Sequence, residues 1–192
     1  MDIDRFYTAE LDDHQQALTA TRDALREPFR QLAEACLKAI NGGGRIFLFG
    51  NGGSASDAQH LATELIVRYK RDRASIPAIA LNTDTSALTA IANDYSFEDL
   101  FARQIEGLCR KGDIALAIST SGNSENVIRG LQMAKKMGAV AAGLSGRDGG
   151  RMKGLADPLL IVPSNDTARI QEMHITIGHL LCGVLEEEFA LS

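Results

Sequence analysis

With 192 residues, 45% of them apolar, the chain is long enough for one sizeable core and too short for two full domains without a visible linker. A net charge of −5 with no basic block argues against an electrostatic nucleic-acid surface, and no stretch reaches the roughly 18 apolar residues of a membrane span. The cysteines, Cys36, Cys109 and Cys182, are odd in number and lack CxxC spacing, which suits reduced thiols better than disulfides or a cysteine–zinc cage. The start has no positive segment leading into an apolar run, so the chain is expected to be cytoplasmic, neither exported nor membrane-bound.

In chain order, residues 4–40 carry a helical pattern with a break expected near Pro28, and Leu11, Leu18, Leu25 and Leu32 recur every seven residues. Tyr7, His14 and Thr21 supply no second apolar column, so this seam is expected to pack on a bundle or on a partner; packing within the chain and a subunit contact both satisfy it. The run Asn41-Gly42-Gly43-Gly44 ends the helix, and residues 45–49 read as a buried strand. Short apolar runs at 78–81, 114–118, 140–144 and 159–162 then alternate with helical stretches at 56–69, 86–92, 97–108, 124–137 and 167–189. Alternation of this kind predicts an α/β fold with a doubly wound parallel sheet, residues 42–192 forming the core of a single domain (1–192) and residues 1–41 a helical N-terminal segment.

Two loops fall where such folds bind ligands, beyond the carboxyl ends of strands. The first, Gly50-Asn51-Gly52-Gly53-Ser54-Ala55, fits GxGxxA, but the acidic residue a dinucleotide site needs about 20 positions on is missing from a strand end: Asp72 sits in a basic stretch and Asp84 comes too late. An anion- or sugar-binding loop and a tight turn both remain readings of it. The second, Ser119-Thr120-Ser121-Gly122-Asn123-Ser124, surrounds a turn with hydroxyls just before a helix, where free amides and the helix dipole favour a phosphate without a lysine. A plain N-cap would account for one of these residues only.

His60 and Glu64 are four apart and share one face of the helix after Ser54, with Ala58, Leu61, Ala62, Leu65, Ile66 and Tyr69 as the opposite apolar stripe. A solvated polar face would carry the same pair, so its position beside the first loop is what recommends it. The last helix is apolar on most sides, and Gln171, His174 and His179 within it need partners.

The strings GNGGSASDAQH, AND at Ala92-Asn93-Asp94, STSGNS and RIQEMH with His179 beyond it resemble the sugar isomerase (SIS) domain family, and within it the sedoheptulose-7-phosphate isomerase (phosphoheptose isomerase) group, nearly end to end. The resemblance implies a cytoplasmic homotetramer that converts sedoheptulose 7-phosphate to D-glycero-D-manno-heptose 7-phosphate for lipopolysaccharide, with no nucleic acid or membrane as partner. It implies a zinc site at His60, Glu64, Gln171 and His179, and substrate contacts at Asn51, Gly52, Gly53, Ser54, Glu64, Asn93, Asp94, Ser119, Thr120, Ser121, Ser124 and Gln171. Aldose–ketose chemistry needs a base at carbon and an acid/base at oxygen, which assigns Glu64 and His179 in that order. Gln171 and His179 are eight apart, about 12 Å along a straight helix, so either the helix bends or the ligand set is completed across a subunit boundary, and a site with residues from more than one chain is the expectation. Some SIS relatives are instead tetrameric factors that bind the bacterial replication initiator, and a phosphosugar-sensing module without turnover is a further alternative.

Overall fold

The computed structural model describes residues 1–190. Five strands, β1 (Ile46–Gly50), β2 (Ala78–Ala80), β3 (Ile114–Ser119), β4 (Val140–Gly146) and β5 (Leu159–Val162), form one parallel sheet in the order β2-β1-β3-β4-β5. Successive strand residues point to opposite faces, so each strand feeds two cores. Ile46, Leu48, Leu116 and Leu144 join the core under α2 (Arg26–Asn41), α3 (Gly53–Ile66) and α7 (Thr167–Phe189). Phe47, Phe49, Ala115 and Ala117 join the other, under α5 (Leu100–Leu108) and α6 (Glu125–Lys136). Burial from both sides is what allows these strands to be nearly continuous apolar runs. The expected doubly wound fold is therefore the fold observed. No helix among the described residues is long and apolar enough to cross a membrane, and all three cysteines are buried free thiols.

The differences are local and have physical causes. The N-terminal helix breaks at Leu25, between α1 (Ile3–Ala24) and α2, three residues before Pro28, which sits in the first turn of α2. A first-turn amide has no intrahelical acceptor, so the missing N–H of proline costs nothing there. Helix α3 begins at Gly53, earlier than expected, because only Asn51 and Gly52 link it to β1; Gly52 turns the chain at φ 57°. It ends at Ile66, which puts Tyr69 in the following turn, and Ile66 itself is exposed. The stretch 97–108 divides into a 3-10 turn, Phe97–Asp99, and α5. The leucine seam is split: Leu25 and Leu32 are buried, whereas Leu11 and Leu18 are 51% and 42% exposed.

Within α7, His174 is fully buried with Nε2 3.0 Å from the Ser145 carbonyl, an acceptor, so that nitrogen carries the hydrogen. Its Nδ1 has no partner among the described residues, and burial pushes the imidazole pKa from 6.5 down to about 4. A depressed folded-state pKa makes stability full above pH 6.5 and progressively lost as pH falls towards 4, by about 3 kcal/mol in all. Thermal unfolding followed across that window is expected to show this loss, and His174→Gln to flatten it; an unchanged slope in the variant would assign the acid sensitivity elsewhere.

Candidate active site

The strand order reverses between β1 and β3, the switch point at which α/β sheets leave a crevice for ligands. From β1 the chain turns into α3 on one face, and from β3 it turns into α6 on the other, so the two loops part around this crevice. A reciprocal amide pair fixes them together: Asn51 Nδ2 donates to Asn126 Oδ1 at 2.8 Å and Asn126 Nδ2 returns a bond to Asn51 Oδ1 at 2.9 Å. Asn82, arriving from β2, donates to the Gly50 carbonyl at 2.9 Å and completes the rim. Ser54 is buried in the first turn of α3, against Gly50.

The serine loop is shaped partly by its own hydroxyls. Ser119 Oγ accepts from the Gly122 amide and Ser121 Oγ from the Asn123 amide, each at 3.2 Å. Ser124 is the N-cap of α6 yet makes no side-chain capping bond, so its hydroxyl is not used by the helix. The loop is braced from outside by the turn after β4: Arg151 N donates to Asn123 Oδ1 at 3.1 Å and Met152 N to the Gly122 carbonyl at 3.1 Å. The result is a rigid turn at a helix N-terminus, a setting that favours an anion.

At the far part of α3 the imidazoles of His60 and His179 meet, with Nε2 atoms 2.8 Å apart and Glu64 Oε1 3.5 Å from His60 Nε2. Only one of two bonded imidazole nitrogens can carry the shared hydrogen, so the pair has a built-in donor and acceptor. Burial and the neighbouring His60 hold the His179 imidazole below its ordinary range, with Lys70 adding to this and the Glu64 carboxylate opposing it. Tyr69 stacks on the His179 ring at a centroid distance of 5.4 Å. The contact depends on a glycine: a Cβ at Gly178 would stand 2.5 Å from Leu61 Cδ1, so its absence lets α3 and α7 approach closely one residue before His179.

Helices α3 and α7 run side by side in the same sense. Gln171 lies over Gly53, where an added Cβ would meet its Nε2 at 2.5 Å, while His179 lies beside His60. His60, Glu64 and His179 are thus brought together within one chain, and the Gly178 approach is the reason. Gln171 stands about two turns from His179 on the helix, with the loop and not with the imidazoles. Asn93 and Asp94 end α4 (Thr85–Asp94), a helix with no buried residue; Asn93 Nδ2 donates to Asp94 Oδ1 at 2.8 Å, and no hydrogen bond among the described residues ties them to either loop. Thr120, within the serine loop, is half-buried.

Two neighbours escaped the sequence reading. Helical spacing puts Tyr69 on the apolar stripe, whereas its place against His179 depends on where α3 stops. Asp57, three residues before His60, has a buried Oδ2 without a partner among the described residues, and burial pushes its carboxyl up while His60 pulls it down. The i, i+3 spacing of Asp57 and His60 was the available signal.

The nitrogen and oxygen donors of His60, His179 and Glu64 are of the kinds zinc accepts. Two ligands of a tetrahedral zinc would stand about 3.3 Å apart, so the imidazoles fit after parting by about half an ångström. As they stand, no group of three or more His, Cys, Asp or Glu among the described residues is spaced to hold a metal.

A parallel sheet with a hydroxyl-lined turn at its switch point and an imidazole–carboxylate cluster beside it defines an α/β protein built to hold an anionic, polyhydroxy ligand. Comparison with known proteins makes this particular. A family model for the SIS domain matches residues 9–146, and the chain belongs to that family. It is 59% identical over 181 residues to a phosphoheptose isomerase of Paramagnetospirillum magneticum, with 94% of each chain covered. Its structure is similar to that of a phosphoheptose isomerase from Neisseria gonorrhoeae, with a TM-score of 0.91 at 41% identity, covering 96% of this chain and 99% of that one. A phosphoheptose isomerase from Francisella tularensis is likewise similar, with a TM-score of 0.94 at 33% identity over 97% of this chain and 100% of that one.

Proposed function

We propose that this chain is an aldose–ketose isomerase that interconverts sedoheptulose 7-phosphate and D-glycero-D-manno-heptose 7-phosphate on the route to lipopolysaccharide. The observation that carries the reading is the meeting of Glu64, His60 and His179 beside a hydroxyl-lined anion cradle. The serine loop, the α6 N-terminus and Asn51 to Ser54 receive the phosphate and adjoining hydroxyls. His60 lies seven residues beyond Gly53, about 10 Å along α3, which suits a long sugar phosphate whose reacting end is remote from its phosphate.

Glu64 takes a proton from C1 of the ketose and returns it to C2 through an enediolate, while His179 moves a proton from O1 to O2. The depressed imidazole pKa keeps His179 neutral near pH 7, able to accept a proton before giving one. His60 orients His179 through their shared hydrogen bond. Zinc held by His60, Glu64 and His179 would supply a Lewis acid that polarises the sugar carbonyl, while Gln171, which lies over Gly53 two turns away, would face the substrate from the loop. Incubation of the purified protein with sedoheptulose 7-phosphate, followed by NMR with and without added zinc, tests the reading; absence of any aldose product under both conditions would refute it.

The serine loop belongs to binding on this assignment. Ser121→Ala and Ser124→Ala are expected to raise KM about tenfold at nearly constant kcat, and sedoheptulose without phosphate to react poorly. A fall in kcat at constant KM would place the reacting end of the sugar at the loop.

The enzyme works in the cytoplasm as a homotetramer in this proposal, in keeping with its free thiols and with the apolar side chains Leu11, Leu18 and Leu180 left exposed along α1 and α7. On the reading that Glu64 and His179 of one chain serve the same site, which their meeting at His60 supports, re-formed mixtures of Glu64→Gln and His179→Asn proteins are expected to stay as inactive as either alone. Recovered activity after proven subunit exchange would show that the two groups act across a subunit boundary.

A further inference from the structure

Glu186, near the end of α7, is only 2% exposed, and a carboxylate so buried must be compensated. Its oxygens accept three successive backbone N–H groups of the turn after α3: Tyr69 at 2.8 Å, Lys70 at 2.7 Å and Arg71 at 2.9 Å. These amides hold the carboxyl below the ordinary range of glutamate against the opposing effect of burial, which is the larger single influence. The Arg73 side chain, itself fully buried, stands 3.7 Å from Glu186 and donates to the carbonyls of Glu64 at 2.8 Å and Leu65 at 2.7 Å. Those are carbonyls that the end of α3 leaves without intrahelical partners.

One carboxylate is thereby joined to two parts of the candidate active site. On one side is the turn that carries Tyr69, whose ring stacks on His179 and lies 4.7 Å from Lys70 Nζ. On the other side, through Arg73, is the last stretch of α3, which carries Glu64. The other side-chain ties of the turn are exposed ion pairs, Arg71 to Glu187 at 2.8 Å and Arg68 to Asp72 at 3.1 Å, which contribute little. Glu186 makes no hydrogen bond to His60, Glu64 or His179 among the described residues, and it lies two turns beyond His179 on the same helix.

We propose that Glu186 is a positioning residue for the isomerisation, fixing the Tyr69 ring against His179 and setting the Glu64 end of α3 in register with it. The proposal rests on the isomerase reading given above. Glu186→Gln keeps the shape of the side chain but replaces an acceptor oxygen with a donor facing backbone N–H groups. With sedoheptulose 7-phosphate as substrate, kcat is expected to fall about tenfold or more in this variant while KM stays within about twofold. Tyr69→Leu removes the ring and leaves the amide cluster, and it should lower kcat comparably. The double variant should fall short of the product of the two single losses, because the changes share the Tyr69 ring as one route and only Glu186→Gln also loosens the Arg73 link to α3.

Asp113→Asn is the structural control. Asp113 is also a buried carboxylate, accepting the Arg45 and Arg110 amides at 2.8 Å each, but it lies at the opposite end of the strands. Its substitution should lower Tm and leave kcat unchanged. A readout independent of turnover is the His179 Cε1–H signal in NMR spectra of the purified protein, identified by its loss in His179→Asn. Ring-current displacement by Tyr69 should diminish in the same direction in Glu186→Gln and Tyr69→Leu.

Wild-type kcat and an unmoved His179 signal in folded Glu186→Gln would overturn the proposal, as would losses that multiply in the double variant or an equal loss in Asp113→Asn. If Glu186→Gln does not fold, Tyr69→Leu decides, because a folded protein with wild-type kcat would overturn the proposal equally. Failure of the wild-type protein to turn over sedoheptulose 7-phosphate would instead defeat the isomerase reading, while the His179 signal would still test the positioning.

Discussion

Glu64→Gln and His179→Asn are each expected to lower kcat by roughly 100-fold or more while leaving a folded protein, because each removes a proton-transfer group and keeps its approximate shape. The structure gives both substitutions little else to disturb. Glu64 lies on the polar face of α3 with its side chain 19% exposed, and its closest ionic contact is His60 at 3.5 Å. His179 stands at the edge of the core, bonded to His60 at 2.8 Å and stacked on Tyr69. Loss of that bond costs about 1 kcal/mol, a small part of the stability of a chain with two full cores. Measured against sedoheptulose 7-phosphate, a folded variant within about threefold of wild type would remove its residue from the proton-transfer scheme. If His179→Asn were silent and Glu64→Gln inactive, the oxygen protons would have to move through His60 or solvent.

Much of the fold follows from local patterns that survive folding. Short apolar runs separated by helical stretches specify a parallel sheet whatever the details, and the strand at residues 159–162 is found where its pattern puts it. Glycine and hydroxyl chemistry is equally local, so both loops at the switch point could be read from composition. The helix boundaries that moved did so because a cap or a link decided them: Gly52 starts α3 early, and Leu25 divides the N-terminal helix. The meeting of His60 with His179, 119 residues apart in sequence, is of another kind, since it depends on Gly178 admitting the Leu61 side chain. No periodicity within either helix contains that fact. The same holds for Tyr69 and Glu186, whose roles follow from how the turn after α3 meets the end of α7. The leucine seam marks the limit of pattern in the opposite direction, because identical spacing produced buried Leu25 and Leu32 and exposed Leu11 and Leu18.

Gly122→Ala is expected to damage the anion cradle more than loss of any one hydroxyl, raising KM about 100-fold and lowering stability by about 2–5 kcal/mol. Two causes add. Gly122 has φ 65°, a conformation that costs an L residue about 1–2 kcal/mol. An added Cβ would also stand 2.1 Å from the Gly149 carbonyl oxygen and 2.9 Å from Ser145 Oγ, and the nearer atom is backbone that cannot swing aside. Relief requires the serine loop to part from the turn after β4, which releases the bonds from Arg151 to Asn123 and from Met152 to Gly122. The hydroxyls and the α6 amides then no longer converge on one point. Gly43→Ala separates the two causes, because Gly43 has φ 78° but open space around the added Cβ. It should lower stability by about 1–2 kcal/mol through backbone strain alone and leave KM unchanged. Unfolding curves and steady-state kinetics on both variants check the pair, with titration by inorganic phosphate as a measure of the cradle by itself. A folded Gly122→Ala protein with wild-type KM and wild-type phosphate affinity would mean that the anion is held elsewhere, and the assignment of Ser119 to Ser124 as the phosphate loop would fall with it.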